Sequence, residues 1–108
     1  MERNKDFVYL GRFIWDTDKE AYNIAKHKGL PFKAASLVFK DPLLVTVYDD
    51  AHSLAEDREK NIGKIEGRYI ATVISTDRNG LTRIISARKA TTTEVKLYEE
   101  NAKRIRGY

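Results

Sequence analysis

The sequence predicts an α+β domain in which helices pack against one antiparallel sheet. Helical signals occupy the first part of the chain, and β-branched runs separated by tight-turn residues occupy the middle. A capped amphipathic segment closes the chain. Because 108 residues are the length of one domain, we expect residues 1–108 to fold as a single unit.

Two helices are expected first. Asp16 is a good N-cap for the first helix, which should close at the basic residues and glycine of 26–29. Pro31 suits the first turn of a second, short helix, and Pro42 stops that helix after Asp41. The predicted packing stripe of the first helix consists of Ala21, Ile24, Ala25 and Lys28.

Four strands should follow, because the hydrophobic period changes from helical to strand-like. Glu66-Gly67 and Asn79-Gly80 lie where tight turns would join the last three strands into an antiparallel meander. The residues of 49–57 read as a polar loop, with one turn of helix as an alternative. The predicted strands are 43–48, 60–65, 68–76 and 81–87.

The last element should be a helix, since Thr91 and Glu94 have the spacing of a capping box, with Thr92 or Thr93 as the alternative cap. Its predicted packing face contains Val95, Tyr98, Ala102 and Ile105. The predicted architecture is therefore two N-terminal helices, a four-stranded antiparallel sheet and a C-terminal helix.

The net charge of +4 is unevenly distributed along the chain. The residues before 55 balance eight basic against eight acidic side chains, so the whole excess lies in the second half. Seven of the nine arginines are there, and arginine suits phosphate recognition through its planar fork. A polyanion such as nucleic acid is one explanation of this asymmetry, and an ordinary solvated surface is the other.

Several chemistries are excluded by composition. With no cysteine and two histidines, the chain cannot form a disulfide, a thiolate metal site or a three-histidine zinc site. It contains no glycine-rich phosphate loop, signal peptide or membrane span, so we expect a soluble intracellular protein. Asp49, Asp50 and His52 could hold a hard cation, but a turn is favoured, and we predict neither metal nor cofactor.

The strongest basic cluster is Arg83 to Lys89 on the last predicted strand. Arginines held on a strand suit the charge of a bound phosphodiester. Arg83 and Arg88 are an odd number of residues apart, so a regular strand would place them on opposite faces. Either a bulge intervenes, or the strand ends near Ala87, or only one arginine serves the site. Two solvent-facing arginines remain the alternative interpretation.

A second cluster contains His52, Glu56 and Arg58. A histidine, a carboxylate and an arginine are the groups that acid–base cleavage of a phosphodiester requires. A solvated loop with surface ion pairs is the competing interpretation. Tyr98 is expected to pack its ring in the core, while its hydroxyl could reach a site over the sheet. His27 is expected only at the end of the first helix, without a catalytic role.

An ordered set of short motifs runs along most of the chain. The motifs are Phe13-Ile14-Trp15-Asp16, Lys26-His27-Lys28-Gly29, Val38-Phe39-Lys40-Asp41-Pro42, His52-Ser53 with Glu56 and Arg58, Ile62-Gly63, Arg83-Ile84-Ile85-Ser86-Ala87-Arg88-Lys89-Ala90 and Tyr98-Glu99. Together they closely resemble the BrnT family of toxins from bacterial type II toxin–antitoxin pairs. The likeness extends from about Phe13 to Glu99, although Lys5 to Arg12 precedes the usual start and Pro31 replaces a serine-type cap.

This resemblance implies a RelE-like fold and a cytoplasmic ribonuclease that shuts down translation. It also implies neutralisation by a BrnA antitoxin with a DNA-binding domain, in a heterotetramer that reaches operator DNA only through the antitoxin. No membrane partner is expected. Transferred onto this sequence, the family pattern marks as site residues His52, Glu56, Arg58, Arg83, Arg88 and Tyr98.

Together these inferences predict a metal-independent endoribonuclease. A 2′-hydroxyl would attack the adjacent phosphorus with Glu56 or His52 as base, while Arg83 and Arg88 stabilise the phosphorane. Tyr98 would orient the substrate or protonate the leaving oxygen. Arg58 and Lys89 would bind substrate phosphate.

The alternative is a non-catalytic module that binds nucleic acid or an acidic partner through the same basic sheet. Glu56→Gln and Tyr98→Phe should inactivate an enzyme and barely affect such a module. A degenerate toxin kept for its protein partner would bind the antitoxin without arresting growth.

Overall fold

A computed structural model describes residues 6–49 and 56–107. These residues form three α-helices, a 3₁₀ helix and one six-stranded sheet with the strand order β1-β2-β6-β5-β4-β3. Neighbouring strands are antiparallel except β2 and β6, which run parallel. The elements are β1 (Phe7–Leu10), β2 (Phe13–Asp16), α1 (Thr17–His27), α2 (Phe32–Ala35), the 3₁₀ helix (Ser36–Lys40), β3 (Val45–Tyr48), β4 (Glu59–Ile65), β5 (Tyr69–Arg78), β6 (Leu81–Lys89) and α3 (Thr92–Arg106).

The predicted sheet is wrong in strand number and in strand direction. The four predicted strands are present as β3 to β6, but the β1–β2 hairpin precedes the helices, so two helices do not come first. The parallel pair of β2 with β6 makes the sheet mixed rather than antiparallel. Gly11, with φ 58, opens the two-residue turn of this hairpin. Glycine at the first turn position is the pattern of a type II′ turn, so the sequence did carry a signal.

The predicted N-caps and tight turns are confirmed, whereas Lys28 rather than Gly29 takes the left-handed conformation that ends α1. The Asp16 side chain accepts from the backbone N–H of Asp18 at 2.8 Å and begins α1. Thr91 and Glu94 form both hydrogen bonds of a capping box at the start of α3. Asn79 and Gly80 both have positive φ, as a tight hairpin turn requires. The local signals therefore set the ends of these elements.

One face of the sheet packs against α2 and the 3₁₀ helix. Phe32 and Val38 are fully buried there, and each contributes about 1.5–3 kcal/mol of apolar burial. We call this side the core face; its buried cluster includes Trp15, Phe32, Ala35, Val38, Val73 and Ala87. α3 lies over the opposite face, where its Glu94 side chain contacts Thr72 of β5.

The predicted packing stripe of α1 is wrong, because Ala21, Ile24 and Ala25 are exposed and Asn23 is buried instead. β6 pairs with β2 only near its start, so within residues 6–49 and 56–107 the edge of β6 that faces away from β5 has no strand partner at Ala87. The Asn23 amide donates to the Ala87 carbonyl at 2.9 Å and satisfies this edge. A polar residue therefore anchors α1 to the sheet.

The predicted second helix is present, but it continues beyond Ala35 as a 3₁₀ helix. On α3, Tyr98 and Ala102 are buried as predicted, whereas Ile105 is exposed. Among the described residues, no helix combines the length and apolarity that crossing a bilayer requires.

Candidate active site

Arg83 and Arg88 lie on the same face of the sheet because β6 contains a bulge. The register of β6 against β5 shifts by one residue at Ile85. Arg83 therefore pairs with Thr76 and Arg88 with Thr72, which are an even number of residues apart on β5. Of the three alternatives left open by the sequence, the bulge is confirmed. We call the sheet face that carries both side chains the arginine face.

Arg83 occupies an unusual environment for a charged side chain. The residue is only 9% exposed, and its Nε atom is buried without a hydrogen-bond partner. Its Cζ atom lies 5.6 Å from the centre of the Phe7 ring, within cation–π range. Across residues 6–49 and 56–107, no carboxylate lies within ion-pair distance of Arg83. A guanidinium buried in this way is a candidate anion-binding group.

The segment that carries Glu56 and Arg58 joins the arginine face beside Arg83. Thr76, the cross-strand partner of Arg83, donates its hydroxyl hydrogen to the Asp57 carbonyl at 2.7 Å. Since Asp57 lies between Glu56 and Arg58 in the chain, this hydrogen bond holds both near the row that contains Arg83. The structure thus brings Glu56 and Arg58 of one predicted cluster to the row that contains Arg83 of the other.

The Glu56 carboxylate lies between two arginines. Its oxygens are 3.4 Å from Arg78 Nη2 and 3.7 Å from Arg58 Nη2, and its side chain is partly exposed. A partly exposed carboxylate flanked by cations can accept a proton from a substrate hydroxyl. His52, the other predicted acid–base residue, lies outside the described residues, so its placement stays a prediction.

Arg88 is held in a partly buried network centred on the buried Glu94 at the start of α3. Its two Nη atoms donate to the two Glu94 carboxylate oxygens at 2.7 and 3.0 Å. The Thr72 hydroxyl and the Thr91 backbone N–H donate to the same carboxylate, and Lys60 Nζ lies 3.1 Å away. Arg88 is therefore already paired, in contrast to Arg83.

The ionisation of this network follows from its hydrogen bonds. Burial opposes the charge of Glu94, but the donors from Arg88, Thr91, Thr72 and Lys60 outweigh it and hold the pKa of Glu94 well below its usual value. The hydrogen bonds to Glu94 raise the pKa of Arg88. Both groups stay charged, and together they fasten α3 to the sheet.

Tyr98 lies at the other end of the arginine face. Its buried hydroxyl donates to Asp41 Oδ2 at 2.6 Å, and this oxygen also accepts from the Lys64 N–H at 2.7 Å. Burial and the hydrogen bond to Asp41 raise the pKa of Tyr98. Arg58 directly precedes β4 and Lys64 lies near the other end of that strand, so the two backbones are about 20 Å apart. The structure therefore does not bring Tyr98 to Arg83, and a catalytic role for Tyr98 stays a prediction.

Lys89, predicted to bind substrate, is directed away from the arginine face. It pairs with Ala71, which belongs to the buried cluster of the core face. Its Nζ atom lies 5.6 Å from the centre of the Tyr69 ring. The alternation of a strand thus separates Lys89 from its neighbour Arg88.

In the described part of the chain, no three His, Asp or Glu side chains are grouped so that they could hold a metal ion. Asp50 and His52, which were considered with Asp49 as ligands of a hard cation, lie outside that part of the chain. The prediction that this segment is a turn without a metal ion therefore stays a prediction. The positive charges on the arginine face are the guanidinium and ammonium groups of arginine and lysine side chains.

Comparison with known proteins identifies the family of the chain. The family model described as "Ribonuclease toxin, BrnT, of type II toxin-antitoxin system" matches residues 15–94. The chain belongs to the BrnT family. The match runs from β2 to the first turn of α3 and includes Glu56, Arg58, Arg83 and Arg88. The protein is therefore a ribonuclease toxin of a type II toxin–antitoxin system, and such a system implies an antitoxin partner.

A solved structure agrees with this assignment. The chain is similar to the ribonuclease toxin BrnT of Brucella abortus, with 27% sequence identity and a TM-score of 0.52. The similarity covers 72% of this chain and 94% of that chain. No curated protein matches the chain at the significance required.

Proposed function

We propose that this toxin cleaves single-stranded RNA on the arginine face through attack of a 2′-hydroxyl on the adjacent phosphorus. The proposal rests on the environment of Arg83, which is buried and has no carboxylate partner within the described residues. An unpaired buried guanidinium destabilises a fold unless an anion compensates it. The phosphodiester of the substrate is such an anion.

The proposed reaction forms a bond between the 2′-oxygen and phosphorus while the bond from phosphorus to the 5′-oxygen breaks. The products are a 2′,3′-cyclic phosphate and a 5′-hydroxyl. Glu56 accepts the proton of the 2′-hydroxyl, since its carboxylate is held at the edge of the arginine face. The leaving 5′-oxygen takes a proton from His52, the second acid–base residue predicted from the sequence.

Two arginines supply the charge stabilisation in this proposal. Arg83 binds the non-bridging oxygens as the phosphorane forms, and Arg58 makes a further phosphate contact at the edge. These fixed cations support a reaction that needs no metal ion. Arg88 acts differently, because Glu94 neutralises it; we assign it to positioning α3 and the sheet.

The partner proposal rests on membership of a type II system. The antitoxin would be of the BrnA type, with a DNA-binding domain, and would neutralise the toxin in a heterotetramer in the cytoplasm. Operator DNA would be reached only through that complex. Free toxin would arrest translation by cleaving RNA.

The test is cleavage of a labelled single-stranded RNA by the purified chain, with chelator present. Arg83→Ala should lower the rate about 10²–10³-fold and Glu56→Gln about 10²–10⁴-fold. Arg68→Ala is the matched control, because Arg68 is an exposed arginine in the turn between β4 and β5. Cleavage should leave a 2′,3′-cyclic phosphate, and DNA of the same sequence should stay intact.

Two outcomes would contradict the proposal. Equal rates for Arg83→Ala and the wild type would show that the buried guanidinium does not act on the phosphate. Loss of wild-type activity in chelator, with recovery on adding a divalent cation, would show that the reaction needs a metal ion.

A further inference from the structure

A single row of side chains crosses four strands on the arginine face. Tyr9 of β1 pairs with Ile14 of β2, Ile14 lies beside Arg83 of β6, and Arg83 pairs with Thr76 of β5. Paired residues share a face, so Tyr9 and Arg83 lie on the same side of the sheet. Two strand spacings separate their backbones, about 10 Å.

The β1 end of this row is aromatic. Tyr9 is 67% exposed, although it lies on a face whose other members in the row are buried. Phe7, two residues earlier, packs its ring near the Arg83 guanidinium at 5.6 Å. Exposed rings beside a fixed cation on a sheet surface are what unpaired bases stack on, while the cation binds the backbone.

We propose that Tyr9 forms a base-stacking subsite that binds an unpaired RNA base next to the phosphate at Arg83. This inference rests on the proposed cleavage site, because Arg83 sets where the phosphate lies. The occupant is an RNA base rather than a protein side chain, since the row runs from the ring to the unpaired guanidinium and on to the edge that holds Glu56.

The position of Tyr9 also indicates which kinetic parameter it controls. β1 precedes the residues matched by the family model, so the subsite adds to the matched region instead of belonging to it. Tyr9 lies about 10 Å from Arg83 and does not reach the reacting atoms. It therefore strengthens substrate binding and sets base preference, while the chemical step depends on the arginine and the carboxylate.

The experiment compares Tyr9→Ala, Tyr9→Leu and Tyr9→Phe with the wild type. Tyr9→Ala and Tyr9→Leu should raise the KM for single-stranded RNA about 5- to 100-fold and leave kcat unchanged, as expected for loss of one stacked base. Tyr9→Phe keeps the ring and should retain wild-type KM. Tyr22→Ala is the matched control, because Tyr22 is 58% exposed on α1 and lies off the row.

A second measurement separates this inference from the cleavage proposal. Binding is measured by anisotropy with a fluorescent single-stranded RNA that is 2′-O-methylated throughout and cannot be cleaved. Single abasic nucleotides are placed at each position in turn. At one position, the losses from the abasic nucleotide and from Tyr9→Ala should be non-additive, because each removes the same stacking contact.

The outcomes distinguish the base-stacking subsite at Tyr9 from the cleavage proposal. Coupling at one abasic position supports the subsite, even if the wild type fails to cleave RNA. Cleavage that depends on Arg83, with KM and binding unchanged in Tyr9→Ala, overturns the subsite and leaves the cleavage proposal standing. An equal effect of Tyr9→Phe and Tyr9→Ala also overturns it, because the hydroxyl rather than the ring would then be the binding group.

Discussion

Arg88 and Glu94 form a two-point ion pair in which Nη1 lies 2.7 Å from Oε1 and Nη2 lies 3.0 Å from Oε2. The pair joins the last strand to the first turn of the last helix. Paired forks of this kind are strong because both hydrogen bonds are charge-assisted. The same carboxylate caps the helix by accepting from the Thr91 N–H. Glu94 thus serves as helix cap and strand anchor together.

The first prediction concerns the energy of this pair. Arg88→Ala leaves the Glu94 carboxylate, whose side chain is 8% exposed, with Lys60 as its remaining charged partner. We expect the free energy of unfolding to fall by about 1–3 kcal/mol, measured by urea denaturation. Glu94→Gln should cost a similar amount, and the double variant should cost less than the sum. Additive losses would show that the two side chains do not act as a unit.

The second prediction concerns the effect of low pH on the free energy of unfolding. In the folded chain the pKa of Glu94 lies below its ordinary value of 4.5. Below about pH 4.5 the Glu94 carboxylate therefore takes up a proton in the unfolded chain and stays ionised in the folded chain. The stabilisation is complete above that pH and is lost as the pH falls toward the folded pKa. The slope is at most about 1.4 kcal/mol per pH unit.

Denaturation between pH 3 and 7, compared with Glu94→Gln, isolates the contribution of this carboxylate. The variant should lose less stability than the wild type over the acid range. Parallel curves for the two proteins would mean that Glu94 ionises alike in the folded and unfolded chains.

The third prediction separates stability from activity at Arg83. Arg83→Met replaces an unpaired buried charge by an apolar side chain of similar length, so we expect the free energy of unfolding to rise by about 1–3 kcal/mol. For a domain of this size, about 1 kcal/mol corresponds to a shift in Tm of about 4–8 °C. RNA cleavage should be lost in the same variant. A lower Tm would identify Arg83 as a packing residue, with exposed Arg68→Met as the reference substitution.

The fourth prediction concerns Tyr98. Its hydroxyl is buried and bound to Asp41, so Tyr98→Phe should lower the free energy of unfolding by about 1–3 kcal/mol and leave the cleavage rate near that of the wild type. The sequence alone predicts that Tyr98→Phe inactivates the enzyme. A loss of activity in a variant that stays folded at the assay temperature would instead support the catalytic role that the sequence predicts for Tyr98.

The hydrogen bond from Tyr98 to Asp41 also predicts an effect of alkaline pH on stability. Because the folded pKa of Tyr98 lies above its ordinary value of 10.0, the unfolded chain loses this proton first as the pH rises past 10. The contribution is present below that pH and declines above it. Thermal unfolding of Tyr98→Phe should therefore depend less on alkaline pH than that of the wild type.

Local signals in the sequence predicted much of the fold. The capping box at Thr91, the N-cap at Asp16 and the turn at Asn79-Gly80 each depend on neighbouring residues, and all three are present. The β1–β2 hairpin was missed although Gly11 marks its turn. The pairing of β2 with β6 could not be predicted, because parallel pairing joins segments distant in the chain and leaves no local pattern.

The sequence predicts which residue types form the candidate site, but it does not predict how their side chains are arranged in the fold. Charge asymmetry pointed to Arg83, but which face it shares with Arg88 depends on a bulge that only pairing with β5 reveals. Glu94 was recognised as a cap, and its bond to Arg88 follows from packing of α3 on the sheet. Asn23 was overlooked because a buried amide on a helix is not part of an apolar stripe.

The pairing of β2 with β6 also determines how much of the chain must be synthesised before the arginine face can form. Asn23 and Ala87 are 64 positions apart, and Ile14 meets Arg83 across a similar stretch. Contacts of such separation form late, when nearly all of the chain has emerged from the ribosome. A nascent chain that ends before β6 lacks Arg83 and the whole row across the sheet. Under the proposed mechanism, truncated chains that lack β6 should therefore fail to cleave RNA.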